Sequence, residues 1–363
     1  MRERNLDAAA RLRPALRSFE PYDPAFSPCR VNLSANENTH PLPPELARAA
    51  AEAASATPLN RYPDPMANDL RDALAARHGV PRDSVIVGNG GDELLFNLLF
   101  AFGGPGRELV TCPPDFAEYA NFAAMCETPV VTVPRRAEDF SIDEDALLAA
   151  ARGADLVILT SPNNPTGNLA DRALVERLLA ETEALVLVDE AYVEFAGEER
   201  SLVGLVADNP RLMVLRTLSK AFALAGLRVG YLVADPAVVG ALAAVRQIYS
   251  VDVLAQAVAL ALVERRDLLA PVVADIVAER ERLAAGLAGL EGVRAWPSEA
   301  NFVLARVPHA HRTWERLRDE HSILVRDFSP TPGLDDCLRL TVGTREENDA
   351  LLDALAVLTR EEA

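Results

Sequence analysis

Lysine is nearly absent from this 363-residue chain: Lys220 is the only one, and every other strong base is arginine. Arginine serves surface charge and ion pairs well, but its guanidinium does not deprotonate at accessible pH and so does not attack a carbonyl. A lone lysine in so arginine-biased a chain marks a position where arginine fails, and imine chemistry is the main such task. Chance is the competing reading, and the neighbours of Lys220 decide between them. Cysteine is scarce too. Cys29, Cys112, Cys126 and Cys337 form no Cys-x-x-Cys pair and have no histidine-rich segment beside them, so neither zinc nor a disulfide framework is implied. Positive charge is in deficit, with 36 Lys+Arg against 54 Asp+Glu and a formal charge of −18. The acids are spread along the chain rather than gathered in a tail. An acidic surface repels phosphate backbones and anionic lipid, which argues against nucleic-acid and membrane-surface partners. Long apolar runs are missing as well. Residues 1–17 lack the apolar core of a signal peptide. The most apolar stretch, 238–263, is interrupted by Arg246, Gln247, Asp252 and Gln256, unlike a membrane span. A cytoplasmic location is expected.

What is present is patterned. Half of the residues are hydrophobic, ample for a sizeable core. Short apolar runs at 84–87, 108–111, 130–133, 156–160, 185–188, 212–215 and 229–233 read as strands. Helical periodicity marks 66–77, 92–100, 171–179, 254–290 and 346–358. Strands alternating with helices predict an α/β fold with a mostly parallel sheet of about seven strands, covered by helices on both faces. Beyond residue 235 the chain turns helical, with shorter strands at 302–305, 323–325 and 338–342, which suggests a smaller α+β domain. Ligands of open α/β sheets bind beyond the carboxyl ends of the strands, and the polar clusters lie there.

The run 84–87 leads into Gly88-Asn89-Gly90-Gly91-Asp92-Glu93. Glycines at a strand-to-helix turn let backbone N–H groups approach an anion such as phosphate; a tight turn capped by Asp92 explains the same residues. The run 156–160 ends in Ser161-Pro162-Asn163-Asn164-Pro165-Thr166-Gly167, a rigid turn able to present Asn164 as a donor or to be turn chemistry alone. The run 185–188 ends in Asp189-Glu190-Ala191-Tyr192. A carboxylate directly after four apolar residues is partly buried, which is costly unless it is paired. A protonated pyridine nitrogen would be a suitable partner, and a phenol three residues on could reach a ring oxygen; helix capping is the alternative. The run 212–215 ends in Arg216-Thr217-Leu218-Ser219-Lys220, with Arg228 eight residues later. Hydroxyls and a guanidinium around the sole lysine make a phosphate cradle, and here the functional reading overtakes chance.

In residues, order and spacing these elements resemble the pyridoxal-phosphate (PLP) dependent aminotransferases of fold type I, most closely the histidinol-phosphate branch. The resemblance runs from about residue 12 to residue 358. Its most specific segments are RTLSKAFALAGLRVGY at 216–231, SPNNPTGN at 161–168 and LRLTVGTREEND at 338–349. It implies a large cofactor-binding domain over 41–285 and a small domain made of 1–40 and 286–363. It further implies that Lys220 holds PLP as a Schiff base and then moves a proton between Cα and C4′. Asp189 pairs with the pyridine nitrogen, and Tyr192 and Asn164 hydrogen-bond the ring oxygen. Phe116 stacks on the ring. Gly91, Asp92, Thr217, Ser219 and Arg228 hold the phosphate. Tyr62 reaches into the neighbouring subunit's site, so a homodimer is expected. Arg339 binds the substrate carboxylate, and Arg326 faces the distal end, a phosphate or the side-chain carboxylate of glutamate. Tyr22 and Asn36 lie in amino-terminal segments that close over the site.

Some positions depart from the pattern. Gly91 stands where Ser or Ala is commoner, Phe116 where Tyr is usual. The segment Asn36-Glu37-Asn38-Thr39-His40 lacks the usual Pro and Gly, and Tyr249-Ser250-Val251 has Ser for Asn. The implied reaction is transamination of histidinol phosphate with 2-oxoglutarate, in histidine biosynthesis. Rival readings are an aminotransferase for aromatic or other amino acids, a PLP decarboxylase of an amino-acid phosphate, and a non-catalytic domain of the same fold. The last would normally come with an added domain or a lost lysine.

Overall fold

The computed structural model describes residues 8–17, 19 and 27–362. Its strands, in chain order, are β1 Val31–Asn32, β2 Val85–Asn89, β3 Leu109–Thr111, β4 Val130–Thr132, β5 Leu156–Thr160, β6 Leu185–Asp189, β7 Leu212–Thr217, β8 Val229–Val233, β9 Arg294–Ala295, β10 Phe302–Arg306, β11 Ile323–Leu324, β12 Arg326–Asp327 and β13 Cys337–Thr341. One sheet holds seven of them in the order β2-β8-β7-β6-β5-β3-β4. Strand β8 is antiparallel to both of its neighbours, β2 and β7, while the other pairs are parallel. The expected mostly parallel seven-stranded sheet is therefore present.

Both faces of this sheet are apolar because successive side chains point to opposite sides. Val85 and Val87, Val157 and Leu159, Val186 and Val188, Leu212 and Val214 pack into one core. The residues between them, Ile86, Ile158, Leu187 and Met213, pack into another. Helices Asn68–His78, Glu144–Ala151, Arg172–Glu181 and Val253–Val263 contribute to the first core. Helices Gly90–Phe102, Glu118–Met125 and Pro236–Val245 contribute to the second. Strands buried on both faces read as continuous apolar runs rather than alternating ones, which is why they stand out in the sequence.

The carboxyl-terminal part forms an antiparallel sheet, β12-β13-β10-β9, and β11 pairs with β1 in parallel. Three details differ from the sequence reading. The periodic stretch 254–290 is divided into Val253–Val263 and Ala270–Ala288 by the turn Arg266–Leu269, with a proline in the first turn of the second helix; proline has no N–H and suits that position. The run 323–325 gives only β11, and the chain then joins the other sheet as β12. Strands β1 and β9 are two residues each, too short to show a period. No helix among the described residues is long and apolar enough to cross a membrane.

Gly230 in β8 lies so close to the β2–helix turn that a Cβ there would come within 2.6 Å of Gly90 C and Gly91 N. These are backbone atoms at the start of helix Gly90–Phe102, so the clash is not relieved by a rotamer change. Gly230→Ala is expected to destabilise the fold by about 1–3 kcal/mol, read as a lower urea midpoint. An unchanged midpoint would show that β8 and this turn are not held so tightly.

Candidate active site

Strands β2, β3, β5, β6 and β7 all end at one edge of the large sheet. Because β8 runs the other way, its first residues lie at that same edge. One cavity there is lined by Gly91, Asp92, Phe116, Asn164, Asp189, Tyr192, Thr217, Ser219, Lys220 and Arg228, together with Leu95, Thr160, Ala191, Leu215 and Arg216. Topology thus brings together residues up to 137 positions apart in sequence (Gly91 to Arg228).

One end of the cavity is rich in hydrogen-bond donors. Helix Gly90–Phe102 begins there, and helix N-termini favour anions. Asp92 is the third residue of this helix rather than its cap, which falls at Asn89. The Thr217 hydroxyl lies 3.0 Å from Ser219 Oγ, the Ser219 amide donates to Thr217 Oγ1 at 3.1 Å, and Arg228 Nη1 reaches Ser219 Oγ at 3.4 Å. Arg228 Nη2 pairs with Asp92 at 3.0 Å. The glycine that close approach requires is Gly90: its φ is +77° and a Cβ would come within 2.6 Å of Arg228 Nη2. At Gly91 a Cβ would make an ordinary contact with Leu215 at 3.4 Å, so the departure at that position has no steric cause.

The opposite end holds Asp189, the last residue of β6, 5% exposed. Its carboxylate accepts from the Tyr119 phenol at 2.7 Å and from the Ala191 amide at 3.0 Å. Thr160 Oγ1 lies 2.8 Å from the same phenol oxygen. Burial pushes the Asp189 carboxyl up to about 6, although the Tyr119 and Ala191 hydrogen bonds and Lys220 oppose the shift. Tyr119 was not among the residues expected at the site. Its signal was faint: it lies three residues after Phe116, one helical turn away, and the two rings meet edge to face at 5.5 Å.

Lys220 lines the same cavity. Its Nζ donates to the Ala35 carbonyl at 2.8 Å and lies 5.8 Å from the centre of the Tyr192 ring. Burial lowers its ammonium to about 8; Arg339 and Arg228 add to the shift, and Glu37 and Asp92 oppose it. More of the amine is therefore neutral near neutrality than on an exposed lysine, and the neutral form is the one that attacks a carbonyl.

A second cavity adjoins the first and shares Phe116, Asn164, Tyr192 and Lys220 with it. Its other lining residues include Asn36, Asp115, Glu118, Arg326, Phe328 and Arg339. Arg339 Nη1 donates to Asn164 Oδ1 at 2.7 Å and Nη2 to the Ser34 carbonyl at 2.5 Å. This turns the Asn164 oxygen toward the arginine and leaves its amide group to act as the donor. Asn36 has a positive φ of 54° and donates to the Tyr192 oxygen at 3.0 Å; the phenol keeps its own proton to donate. Burial raises the Tyr192 pKa, with Arg339 opposing, so the phenol stays neutral. Arg326 and Arg339 are direct cross-strand partners in β12 and β13. Both also line this cavity, which offers an anion two guanidiniums.

Among the described residues, one expected residue lines neither cavity. Tyr62 is 81% exposed and stacks on Tyr249 at 4.6 Å. Tyr22 lies outside the described residues. Arg216, next to Thr217, is fully buried and pairs with Glu190, Glu194 and Glu198 at 3.3, 3.2 and 2.6 Å.

The donor set suits pyridoxal phosphate. Hydroxyls, a helix N-terminus and Arg228 match a phosphate, the lowered lysine matches an aldehyde, and a buried carboxylate held only by neutral hydrogen-bond donors matches a protonated pyridine nitrogen. Comparison with known proteins agrees. Residues 30–355 match the family described as aminotransferase class I and II. The chain is 42% identical to a histidinol-phosphate aminotransferase of Roseiflexus castenholzii, over 95% of this chain and 97% of that one. Among solved structures it is similar to a histidinol-phosphate aminotransferase of Sinorhizobium meliloti in complex with pyridoxal-5′-phosphate, with a TM-score of 0.88 at 28% identity over 98% and 99% of the two chains. It is also similar to an L-threonine-O-3-phosphate decarboxylase of Porphyromonas gingivalis, with a TM-score of 0.81 at 28% identity over 91% and 99%.

The raised carboxyl of Asp189 has a thermodynamic signature. A carboxyl whose pKa rises from 3.8 to about 6 on folding favours the folded state when protonated. That contribution is full below pH 4 and is lost as pH rises through 6. Asp189→Asn removes the dependence. Relative to the native protein without cofactor, the variant is expected to gain about 3 kcal/mol between pH 4 and pH 7, measured by urea denaturation. Parallel pH profiles for the two proteins would contradict the assignment.

Proposed function

The chain belongs to the class I and II aminotransferases, and on that premise we propose that it transfers the amino group of histidinol phosphate to 2-oxoglutarate, giving imidazole-acetol phosphate and glutamate. It is a PLP-dependent enzyme of fold type I. The observation that carries the substrate is the cross-strand pair Arg326 and Arg339 on the cavity that contains Lys220. A phosphate dianion between two guanidiniums satisfies both. For the second substrate, Arg339 takes the α-carboxylate of glutamate and Arg326 its side-chain carboxylate. The 42% identity to a histidinol-phosphate aminotransferase over nearly the whole chain supports the same reading.

When bound, pyridoxal phosphate supplies the electron sink for the carbanion formed at the substrate's Cα. The protein supplies position and protons. Lys220, whose ammonium burial lowers to about 8, would hold the aldehyde carbon of the cofactor and would serve as the base at the substrate's Cα. Asp189 would keep the pyridine nitrogen protonated, Asn164 and Tyr192 would donate to the ring oxygen, and Phe116 would cover the ring face. Gly91, Asp92, Thr217, Ser219 and Arg228 would anchor the phosphate. Asn36 orients Tyr192.

We further infer a homodimer, in which Tyr62 completes the neighbouring site. Supporting it, Tyr62, Leu59, Phe100 and Ile248 are all exposed, at 81, 71, 60 and 65%, a grouping of large apolar side chains that a lone subunit rarely displays. The large sheet lies within 85–233 and the antiparallel sheet within 294–341, which supports the division into a domain of 41–285 and one of 1–40 with 286–363. The location is inferred to be cytoplasmic.

Adding single amino donors to the PLP-loaded protein tests the substrate. Histidinol phosphate is expected to discharge the visible cofactor band rapidly and phenylalanine only slowly, with no carbon dioxide released. A band discharged by phenylalanine or tyrosine alone would contradict the assignment. Lys220→Arg is expected to lose activity by at least about 10³-fold, because arginine keeps the charge but provides no nucleophile. Sedimentation of the native protein is expected to show a dimer, and a fully active monomer would exclude the composite site.

A further inference from the structure

Asp189 is not held by its own backbone alone. Its register partner across β5 and β6 is Thr160, and Tyr119, the second residue of helix Glu118–Met125, bonds to both. The phenol oxygen lies 2.8 Å from Thr160 Oγ1 and 2.7 Å from Asp189 Oδ2. All three side chains are buried. Tyr119 lines neither cavity, so it acts on a ligand only through its neighbours. Those neighbours are Asp189 and Phe116, against whose ring it packs edge to face.

The protons of this chain have one arrangement when Asp189 is ionised. A carboxylate only accepts, so the phenol proton goes to Asp189 Oδ2. The phenol oxygen is then left to accept, and the Thr160 hydroxyl donates to it. Each donor polarises the next, which strengthens the bond at the carboxylate, and hydrogen bonds to the charged form favour that form. Burial pushes the Asp189 carboxyl up to about 6; Tyr119 opposes this most strongly, ahead of the Ala191 amide and Lys220, while Asp92 adds to the rise. Burial, with Asp189 and Asp115 nearby, holds the phenol's own pKa well above its ordinary value, so it stays a neutral donor.

We propose that Tyr119, backed by Thr160, is a positioning residue: its hydroxyl keeps Asp189 ionised and oriented, and through Asp189 it sets how firmly the pyridine nitrogen of the cofactor is held as the cation. This rests on the pairing of Asp189 with that nitrogen and adds the group that tunes it. A phenylalanine at 119 would fill the same space and keep the contact with Phe116. It would leave Asp189 Oδ2 and the Thr160 hydroxyl unmatched, so the hydroxyl and the ring of this residue have separable effects.

The test compares Tyr119→Phe and Thr160→Val with the native protein, with Asp189→Asn as reference. Two quantities are read besides activity. One is the PLP dissociation constant, from titrating cofactor into the apoprotein; the other is the pH at which the visible cofactor band is half lost. A ring nitrogen held less firmly as the cation withdraws fewer electrons, so the nitrogen joining lysine to cofactor keeps its proton to higher pH. Tyr119→Phe is expected to weaken PLP binding by about tenfold and to raise the half-loss pH by about 0.5 or more, with kcat reduced and KM little changed. Thr160→Val is expected to move both quantities in the same direction by less. A lower urea midpoint with native PLP affinity and a native band titration would mean that the phenol only packs, which overturns the proposal. Where Tyr119→Phe does not fold, Thr160→Val decides alone, and a native titration of that variant overturns it. If Asp189→Asn leaves both quantities native, the pairing of Asp189 with the ring nitrogen is wrong and this proposal falls with it. If Asp189→Asn shifts them and Tyr119→Phe does not, this proposal alone falls.

Discussion

The return from β7 to β8 is the constraint on which the site depends. In a sheet of parallel strands the chain leaves each carboxyl edge at once and crosses over through a helix. Between β7 and β8 it does not. The Leu218 amide bonds the Val229 carbonyl and the Leu224 amide bonds the Leu218 carbonyl, which holds residues 218–228 at the edge where the neighbouring strands end. Ser219 and Lys220 enter this loop and Arg228, in the left-handed conformation with φ 53°, leaves it. A single reversed strand therefore sets the lysine, the hydroxyls and the guanidinium side by side. The approach of Gly230 to residues 90 and 91 locks the helix N-terminus against them.

Electrostatics then differentiates groups that the topology brings together. The same burial that raises the Asp189 carboxyl lowers the Lys220 ammonium, because a low-dielectric site disfavours charge of either sign. Each is left ready for a partner of complementary chemistry, a pyridinium for the acid and an aldehyde for the amine. Beneath them, Arg216 is surrounded by Glu190, Glu194 and Glu198 and ties the residues after β6 to the end of β7.

Much of this was legible in the sequence, and the reasons are physical. Strands covered on both faces must be apolar throughout, so the large sheet could be read almost strand by strand. Polar residues at or just beyond the ends of such strands drew attention to Asp189, Asn164 and Thr217, but capping and turn chemistry explained the first two as well, and the family resemblance supplied their roles. The turn offers glycines in succession, and only the φ angle and the nearness of Arg228 show that Gly90 is the one whose backbone requires glycine. Tyr119 was missed because a buried phenol on a helix reads as core. Two-residue strands such as β1 and β9 carry no periodic signal at all.

The central claim is that one amine, on the only lysine of the chain, binds the cofactor. The most direct measurement is borohydride reduction of the PLP-loaded protein followed by proteolysis and mass spectrometry. Reduction makes the lysine–cofactor bond permanent, and with one lysine there is one side-chain amine to find it on. The account predicts the added pyridoxyl phosphate on the peptide that contains Lys220, with that residue blocked to amine-specific reagents. An unmodified Lys220 peptide in a protein that had shown the visible cofactor band would contradict it.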